Sequence, residues 1–486
     1  MPRLQDLTLE APLAELPSRL VRRVHPRPPR ALELLAFSPD LLELLDLPRE
    51  DILGEDFLEL CAGVTLPPGA APISTAYSGH QFGELRRLGD GRVILLGELR
   101  DRFGNRQELQ LKGAGATPFA RGLDGRCTER DVLREFLICE ALFALGIPTA
   151  RTLAVLGSPE RVSRGDSVRS GLLVRLAPSF LRFGHLIHLH AAGAREDLRA
   201  VARLALERAF PSLVDEVRPF AAMLRSIAAR HGRLVARWQA FGFIHGVLNT
   251  DNMALAGLTL DLGPCAFLET MRRGFTPNDS DRQGRYGWQR QPAVVRWNLA
   301  RLAEALESLV DRDEAEDALL EYDRTRDEET QRVMRARLGL RRGLEGDVAL
   351  VAELLELLEQ EDLDLNETLR DLADFSVARG RAGSRLGARL GDSAGAARWL
   401  ARYHERLMRE GSQDEPRQAG MNAINPHTIP RSAHLEEVAA AAGRGDPEPL
   451  RRYHAALIAP FDEATREPAY GAPEPIRRNP RLRCDF

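Results

Sequence analysis

Apolar and polar positions alternate along Glu108-Leu-Gln-Leu-Lys112, a period of two that predicts a strand, and Gly113-Ala-Gly115 turns the chain directly after it. Upstream, Tyr77-Ser-Gly-His-Gln-Phe-Gly83 and Leu88-Gly-Asp-Gly-Arg-Val-Ile-Leu-Leu-Gly-Glu98 have the same texture and predict a hairpin pair with glycines at its turn. The period changes over residues 128–145. Val132, Phe136 and Cys139 form one apolar face, Thr128 caps the start, and Gly146 and Pro148 close the end, so a helix is predicted with Glu135 beside its buried stripe. Gly171-Leu-Leu-Val-Arg-Leu-Ala177 predicts another strand, leading into Ser179-Phe-Leu-Arg-Phe-Gly184, and helices follow to about residue 240. Residues 296–412 are largely helical and charged, as in Glu353-Leu-Leu-Glu-Leu-Leu-Glu359, where the charge runs describe solvated helix faces. Residues 12–70 mix short helical patterns with proline-rich connections such as Pro26-Arg-Pro-Pro29 and are expected to wrap onto the next domain. The last seventy residues are rich in Ala, Pro and Arg, and the end reads as a mobile tail.

With 44% hydrophobic and 28% charged residues and a formal charge of −4, the chain is expected to be a soluble globular protein with a large core. That balance gives no general electrostatic reason to bind nucleic acid or an anionic membrane. No apolar run reaches the roughly 18 residues of a spanning helix. Met1-Pro-Arg-Leu-Gln-Asp6 carries no apolar signal core, so a cytoplasmic location is expected. The five cysteines (Cys61, Cys127, Cys139, Cys265 and Cys484) are too scattered for a disulfide framework, and none forms a CxxC pair. Four are expected to act as small apolar residues, whereas Cys484 lies in an arginine-rich tail that would favour its thiolate.

Of the 67 basic residues only Lys112 is a lysine. In a composition so drifted toward arginine, a retained lysine points to a place where a planar guanidinium does not fit, such as a narrow phosphate contact; the alternative is a chance survivor on a solvated strand. The densest chemistry lies in Gly242-Phe-Ile-His-Gly-Val-Leu-Asn-Thr-Asp-Asn-Met253, followed by Gly257-Leu-Thr-Leu-Asp-Leu-Gly-Pro264. Asn252 and Asp261 supply hard oxygens of the kind magnesium takes alongside nucleotide phosphates, leaving Asp251 as a candidate base. Asn249 and Thr250 read as turn-capping residues and His245 as a structural hydrogen-bonding group.

The order of strand lysine, helix glutamate, HxxxxxxN loop and Asp-Leu-Gly resembles a protein kinase. Aligning His245 and Asn252 with the kinase catalytic loop puts Val247 where the base aspartate belongs, and an apolar side chain takes no proton. More specifically, the chain resembles the selenoprotein O family of pseudokinase-fold protein adenylyltransferases. The motifs that carry this are Tyr77–Gly83, Leu88–Arg92, Gln110–Gly115, Gly122–Arg126, Ser179–Gly184, His245–Asn252 and Asp261–Pro264, within a similar stretch of about 75–305.

The resemblance implies an α/β (α+β) two-lobed, kinase-like core with an N-terminal segment and a helical C-terminal extension. It divides the chain into a wrapping segment at 1–74, a nucleotide-binding N-lobe-like region at 75–180, a helical C-lobe-like region at 181–412 and an extension and tail at 413–486. It implies ATP bound in a reversed orientation, contacted by Gly89, Gly91, Arg92, Lys112, Asp124 and Gly125. Glu135 would orient Lys112, Arg175 and Arg182 would hold the terminal phosphate, Asp251 would be the base, and Asn252 and Asp261 would bind Mg2+ or Mn2+. The expected reaction transfers AMP to Ser, Thr or Tyr hydroxyls of protein substrates with release of pyrophosphate; UTP as donor stays open, as does the oligomeric state. An atypical phosphotransferase and a non-catalytic ATP-binding regulator are the alternatives. Pro277 and Asp279 stand where relatives often carry a cysteine and a histidine, so the family's disulfide between that loop and a C-terminal cysteine cannot form in the same way. In a redox role Cys484 would form a mixed disulfide with a substrate or bridge to another cysteine, for which Cys265, just after Asp261-Leu-Gly-Pro264, is the internal candidate.

Overall fold

The computed structural model describes residues 4–164, 166–471 and 482. Nine antiparallel strands among them form one sheet. Its path runs Val21–Arg23, Ile73–Gln81, Val93–Arg100, Arg106–Lys112, Asp166–Ala177, Arg151–Arg164, Glu33–Phe37, with Glu84–Gly89 paired to Ile73–Gln81 and Cys127–Thr128 to Asp166–Ala177. The N-terminal segment thus supplies both ends of the path, through Val21–Arg23 and Glu33–Phe37, and covers edges that would otherwise expose unpaired backbone.

Alternation along the lysine strand decides what each face meets. Leu109 and Leu111 enter a small core with Leu41 and Phe57 from the N-terminal helices Pro39–Leu44 and Glu55–Cys61. Gln110 and Lys112 face the opposite side, where Lys112 meets Glu135 of the helix Glu129–Ala144. That helix begins as its sequence predicts, with the Thr128 hydroxyl accepting from Asp131 N at 3.1 Å. It packs across Arg151–Arg164 and Asp166–Ala177, and two C-terminal helices, Ser432–Gly443 and Glu448–Ile458, pack on it in turn.

Beyond Ala177 the chain is mainly helical, built around the long packed pair Pro219–Phe241 and Arg312–Arg337. A short antiparallel ribbon, Phe243–Ile244 with Ala266–Phe267, brackets the loops that carry Asp251 and Asp261. A β-layer with one principal helix, joined to a helical lobe through one connecting segment, is the two-lobed kinase-like arrangement that the motifs implied.

The C-terminal extension is anchored by Arg431. Its buried guanidinium donates to Asp364 Oδ2 at 2.6 Å and to Glu269 Oε2 at 3.2 Å, while its backbone N–H donates to the Tyr453 hydroxyl at 2.8 Å. Removing one partner of such a cluster leaves the others charged and desolvated. Arg431→Ala is therefore expected to lower the unfolding free energy by about 3–5 kcal/mol, measured by urea titration; a change below about 1 kcal/mol would show that the cluster does not anchor the extension.

Candidate active site

Three buried cations converge on one partly buried carboxylate, that of Asp261. Lys112 Nζ donates to Glu135 Oε2 at 2.5 Å and lies 3.9 Å from Asp261 Oδ1. Arg175 Nη1 bridges Glu135 Oε1 at 3.1 Å and Asp261 Oδ1 at 2.9 Å, and its Nε donates to Gln110 Oε1 at 3.1 Å. Arg182 donates to Asp261 Oδ2 and to the backbone carbonyl of Asp251 at 3.0 Å, with its guanidinium 5.0 Å from the Tyr77 ring centre. Burial alone would raise the Asp261 carboxyl, but Arg182, Arg175 and Lys112 together hold it well below the usual range. Asp261 also sits at φ 57°, a left-handed conformation uncommon for a side-chain-bearing residue.

Arg182 reaches this point because its segment zips onto the loop after Asp251, with Phe183 N–H donating to Met253 O at 2.9 Å and Leu255 N–H to Leu181 O at 2.8 Å. Thr250–Asn252 is a single 3-10 turn. Asn252 is fixed by its Nδ2 donation to Val247 O at 2.9 Å, Thr250 Oγ1 accepts from His80 N at 2.8 Å, and Asn249 Oδ1 accepts from the Tyr286 hydroxyl at 2.6 Å. His245 is buried, with Nε2 on Leu260 O at 2.8 Å, and spans the two loops structurally.

Asp251 differs from its neighbours. It is buried, its Oδ1 has no hydrogen-bond partner, and burial pushes its carboxyl up to about 6 against the pull of Arg182. The space for this carboxylate exists because residue 79 is glycine: a Cβ there would lie 1.8 Å from Asp251 Oδ1.

These groups open on a cavity of about 420 Å3. Of the residues the motifs singled out, Gly89, Gly91, Arg92, Lys112, Asp124, Gly125, Arg182, Asp251, Asn252 and Asp261 line it, whereas Glu135 and Arg175 stand behind the lysine and are not among the lining residues. A Cβ at Gly125, whose φ is 67°, would lie 2.2 Å from the backbone of Gly115, so this turn closes only with glycine. Asp124 is held by a two-pronged pair from Arg164, at 2.7 and 3.0 Å, and this pairing lowers its carboxyl.

Asp90 and Arg164 line the cavity as well, and no local sequence signal assigns either a role. Asp90 accepts from Thr75 N at 3.0 Å and from Thr75 Oγ1 at 2.5 Å, with Oδ1 partnerless and 3.8 Å from Arg182; its motif was read for the flanking glycines. Arg164 comes back to the cleft only because the hairpin Arg151–Arg164/Asp166–Ala177 is long, and nothing local marks it. Cys61, Cys127, Cys139 and Cys265 are all buried and free. The Cys265 thiol is pushed up to about 12 by burial, which makes it a poor redox partner as folded. Cys484 and the expected tail lie outside the described residues, apart from Leu482, whose N–H donates to Pro277 O at 2.6 Å.

Residues 3–457 match the family described as Protein adenylyltransferase SelO. The chain belongs to that family. A Thiobacillus denitrificans relative with the name Protein nucleotidyltransferase YdiU is 40% identical over 477 residues, covering 98% of each chain. The Aeromonas hydrophila relative of the same name is 42% identical over 453 residues, covering 93% of this chain and 94% of its own. Among solved structures, the kinase domain of a Toxoplasma gondii rhoptry antigen aligns over 57% of this chain and 91% of its own, at 13% identity and a TM-score of 0.24, too slight a likeness to bear on function. The chain is thus a nucleotidyltransferase of the protein-adenylylating type, with ATP as the donor its family implies. Among its described residues no helix is long and apolar enough to cross a membrane.

Gly79→Ala tests the seating of Asp251. The added methyl must displace the carboxylate, so AMP transfer is expected to fall by roughly 10²-fold while calorimetry finds nearly unchanged affinity for a non-hydrolysable ATP analogue. Unimpaired transfer would mean that the position of Asp251 does not matter.

Proposed function

We propose that this protein transfers AMP from ATP to hydroxyl groups of protein substrates, with Asp251 as the general base. The observation that carries this reading is the buried Asp251 carboxylate, partnerless at Oδ1 and with its carboxyl raised to about 6, in the same cavity as Lys112 and Asp261. A base is most effective when its pKa lies near the working pH. Val247, at the position of a kinase base, offers no proton acceptor and speaks against ordinary phosphotransfer.

In this reading the acceptor oxygen attacks the α-phosphorus of ATP, its proton passes to Asp251, and the bond to the departing pyrophosphate breaks. Lys112 and Arg182 hold the terminal phosphates in the interior of the cleft, Asp90, Arg92, Asp124 and the turns at Gly89, Gly91 and Gly125 shape the rest of the nucleotide site, and Glu135 and Arg175 position Lys112 from behind. Either ATP or UTP is compatible with these groups.

Asn252 and Asp261 are the residues that would hold a divalent cation. Both line the cavity and carry oxygen donors, although the Asp261 oxygens are engaged by Arg175 and Arg182 and an ion would share them; one or two protein ligands, completed by phosphate and water, are usual for magnesium at a nucleotide. When bound, the ion offsets phosphate charge near the reacting centre. We assign 75–180 to the nucleotide-binding lobe and 181–412 to the lobe carrying the base, with 1–74 and 413–486 as wrapping and extension. The buried free thiols suit a reducing cytoplasm.

Because the base must be ionised, the transfer rate should rise with pH through about 6 and then level off. Asp251→Ala is expected to abolish that acid limb and slow transfer by about 10²–10⁴ with little loss of nucleotide affinity. Asp261→Ala should instead weaken metal-dependent nucleotide binding. Stopped transfer assays and calorimetry separate the two, and equal loss of affinity in both variants would refute this division of roles.

A further inference from the structure

Next to Asp251, outside the lining of the nucleotide cavity, lies a cationic aromatic patch. Thr250 Oγ1, one residue before the base, contacts His80 through its backbone N–H at 2.8 Å and its Nδ1 at 3.1 Å. The His80 ring meets Trp297 edge-on, with centroids 5.3 Å apart. The guanidinium carbons of Arg285 and Arg301 each lie 5.1 Å from the centre of that same indole. Beside them the hairpin turn presents Phe82, 47% exposed and at φ 53°, with its N–H donating to the Tyr286 hydroxyl at 2.8 Å.

Charge in this patch is not balanced. Arg285 forms no ion pair among the described residues, although its backbone N–H donates to Asp281 Oδ1 at 2.9 Å. Among the described residues Arg301 pairs only with Glu304, at 2.7 Å. The Nε atoms of both arginines are buried without a hydrogen-bond partner. Cation–π contact accounts for a guanidinium over an indole, but it satisfies no N–H group, and two like charges about one ring repel. Burial, Arg301 and Arg285 together depress protonation of His80, so the patch does not gain a third charge from it near neutral pH. An anion is what the site lacks, and a carboxylate offers the acceptor geometry that arginine forks fit.

We infer that Arg285 and Arg301, both set against the Trp297 indole, form an acceptor-side subsite that binds an acidic side chain of the protein substrate, a few residues from the hydroxyl that receives AMP. The inference rests on the assignment of Asp251 as base. Phe82 and Trp297 supply apolar contact for the neighbouring peptide, as aromatic residues do at the centres of binding surfaces.

The test uses the full chain and three fluorescent alanine-based peptides, each with one tyrosine flanked by Glu, Gln or Lys, read by anisotropy in the presence of a non-hydrolysable ATP analogue. The Glu peptide is expected to bind about tenfold tighter than the Gln peptide, the gain of a charge-assisted contact, and the Lys peptide weakest. Arg285→Glu with Arg301→Glu should invert that order, while affinity for the ATP analogue, unchanged, reports that the variant is folded. Arg285→Gln should flatten the order without inverting it. Absence of charge preference in the wild type, a preference unaltered by charge reversal, or no peptide binding at all would overturn the subsite. Should the Glu peptide bind as expected yet its tyrosine gain no AMP when ATP replaces the analogue, the subsite stands and it is the assignment of Asp251 that fails.

Discussion

The carboxylate of Asp261 is the interaction on which the rest of the site depends. It draws together Lys112 and Arg175 from adjacent strands and Arg182 from the segment between the lobes, all of them buried. Without it, three desolvated cations would face one another with Glu135 beside Lys112 and Arg175 and only the more distant Asp90 beside Arg182, a situation that costs several kcal/mol per unpaired ion. The left-handed backbone of Asp261 is sustained by the same contacts, which over-determine where its side chain must go.

That arrangement explains why the two lobes meet where they do. Arg182 is bound at once to Asp261 and to the carbonyl of Asp251, so the geometry of the base and that of the cationic cluster are set by one side chain. The catalytic loop is fixed from the other side by the first hairpin, through His80 on Thr250 and Phe82 on Tyr286 and thence Asn249. Gly79 allows the hairpin to approach so closely that the Asp251 carboxylate is dehydrated, and dehydration raises its pKa. Sequence, packing and proton affinity are thus linked at a single glycine.

Much of this was legible in the chain. The period-two pattern ending at Lys112 and the capped helix carrying Glu135 are local signals, and both elements form as the pattern predicts. The turn chemistry around Asp251, Asn252 and Asp261 likewise brought these residues to notice, and the fold joins them in one cavity. What could not be read depends on contacts distant in sequence. Arg164 returns to the cleft through a long hairpin to hold Asp124, Asp90 was hidden between two glycines, and the helices Ser432–Gly443 and Glu448–Ile458 give no local sign that they support the glutamate helix. The patch at Trp297 is of the same kind, since Arg285 comes to the indole from a loop outside the helix Gln291–Ala305 that carries Trp297 and Arg301.

Transfer of AMP with Asp251 as base requires the nucleotide to lie with its α-phosphate toward Asp251. Incubating the protein with a mixture of acceptor proteins and ATP labelled at either the α- or the γ-phosphate tests it most directly. Label is expected on protein from α-labelled ATP alone, and to disappear with Asp251→Ala; covalent label from γ-labelled ATP would contradict the account.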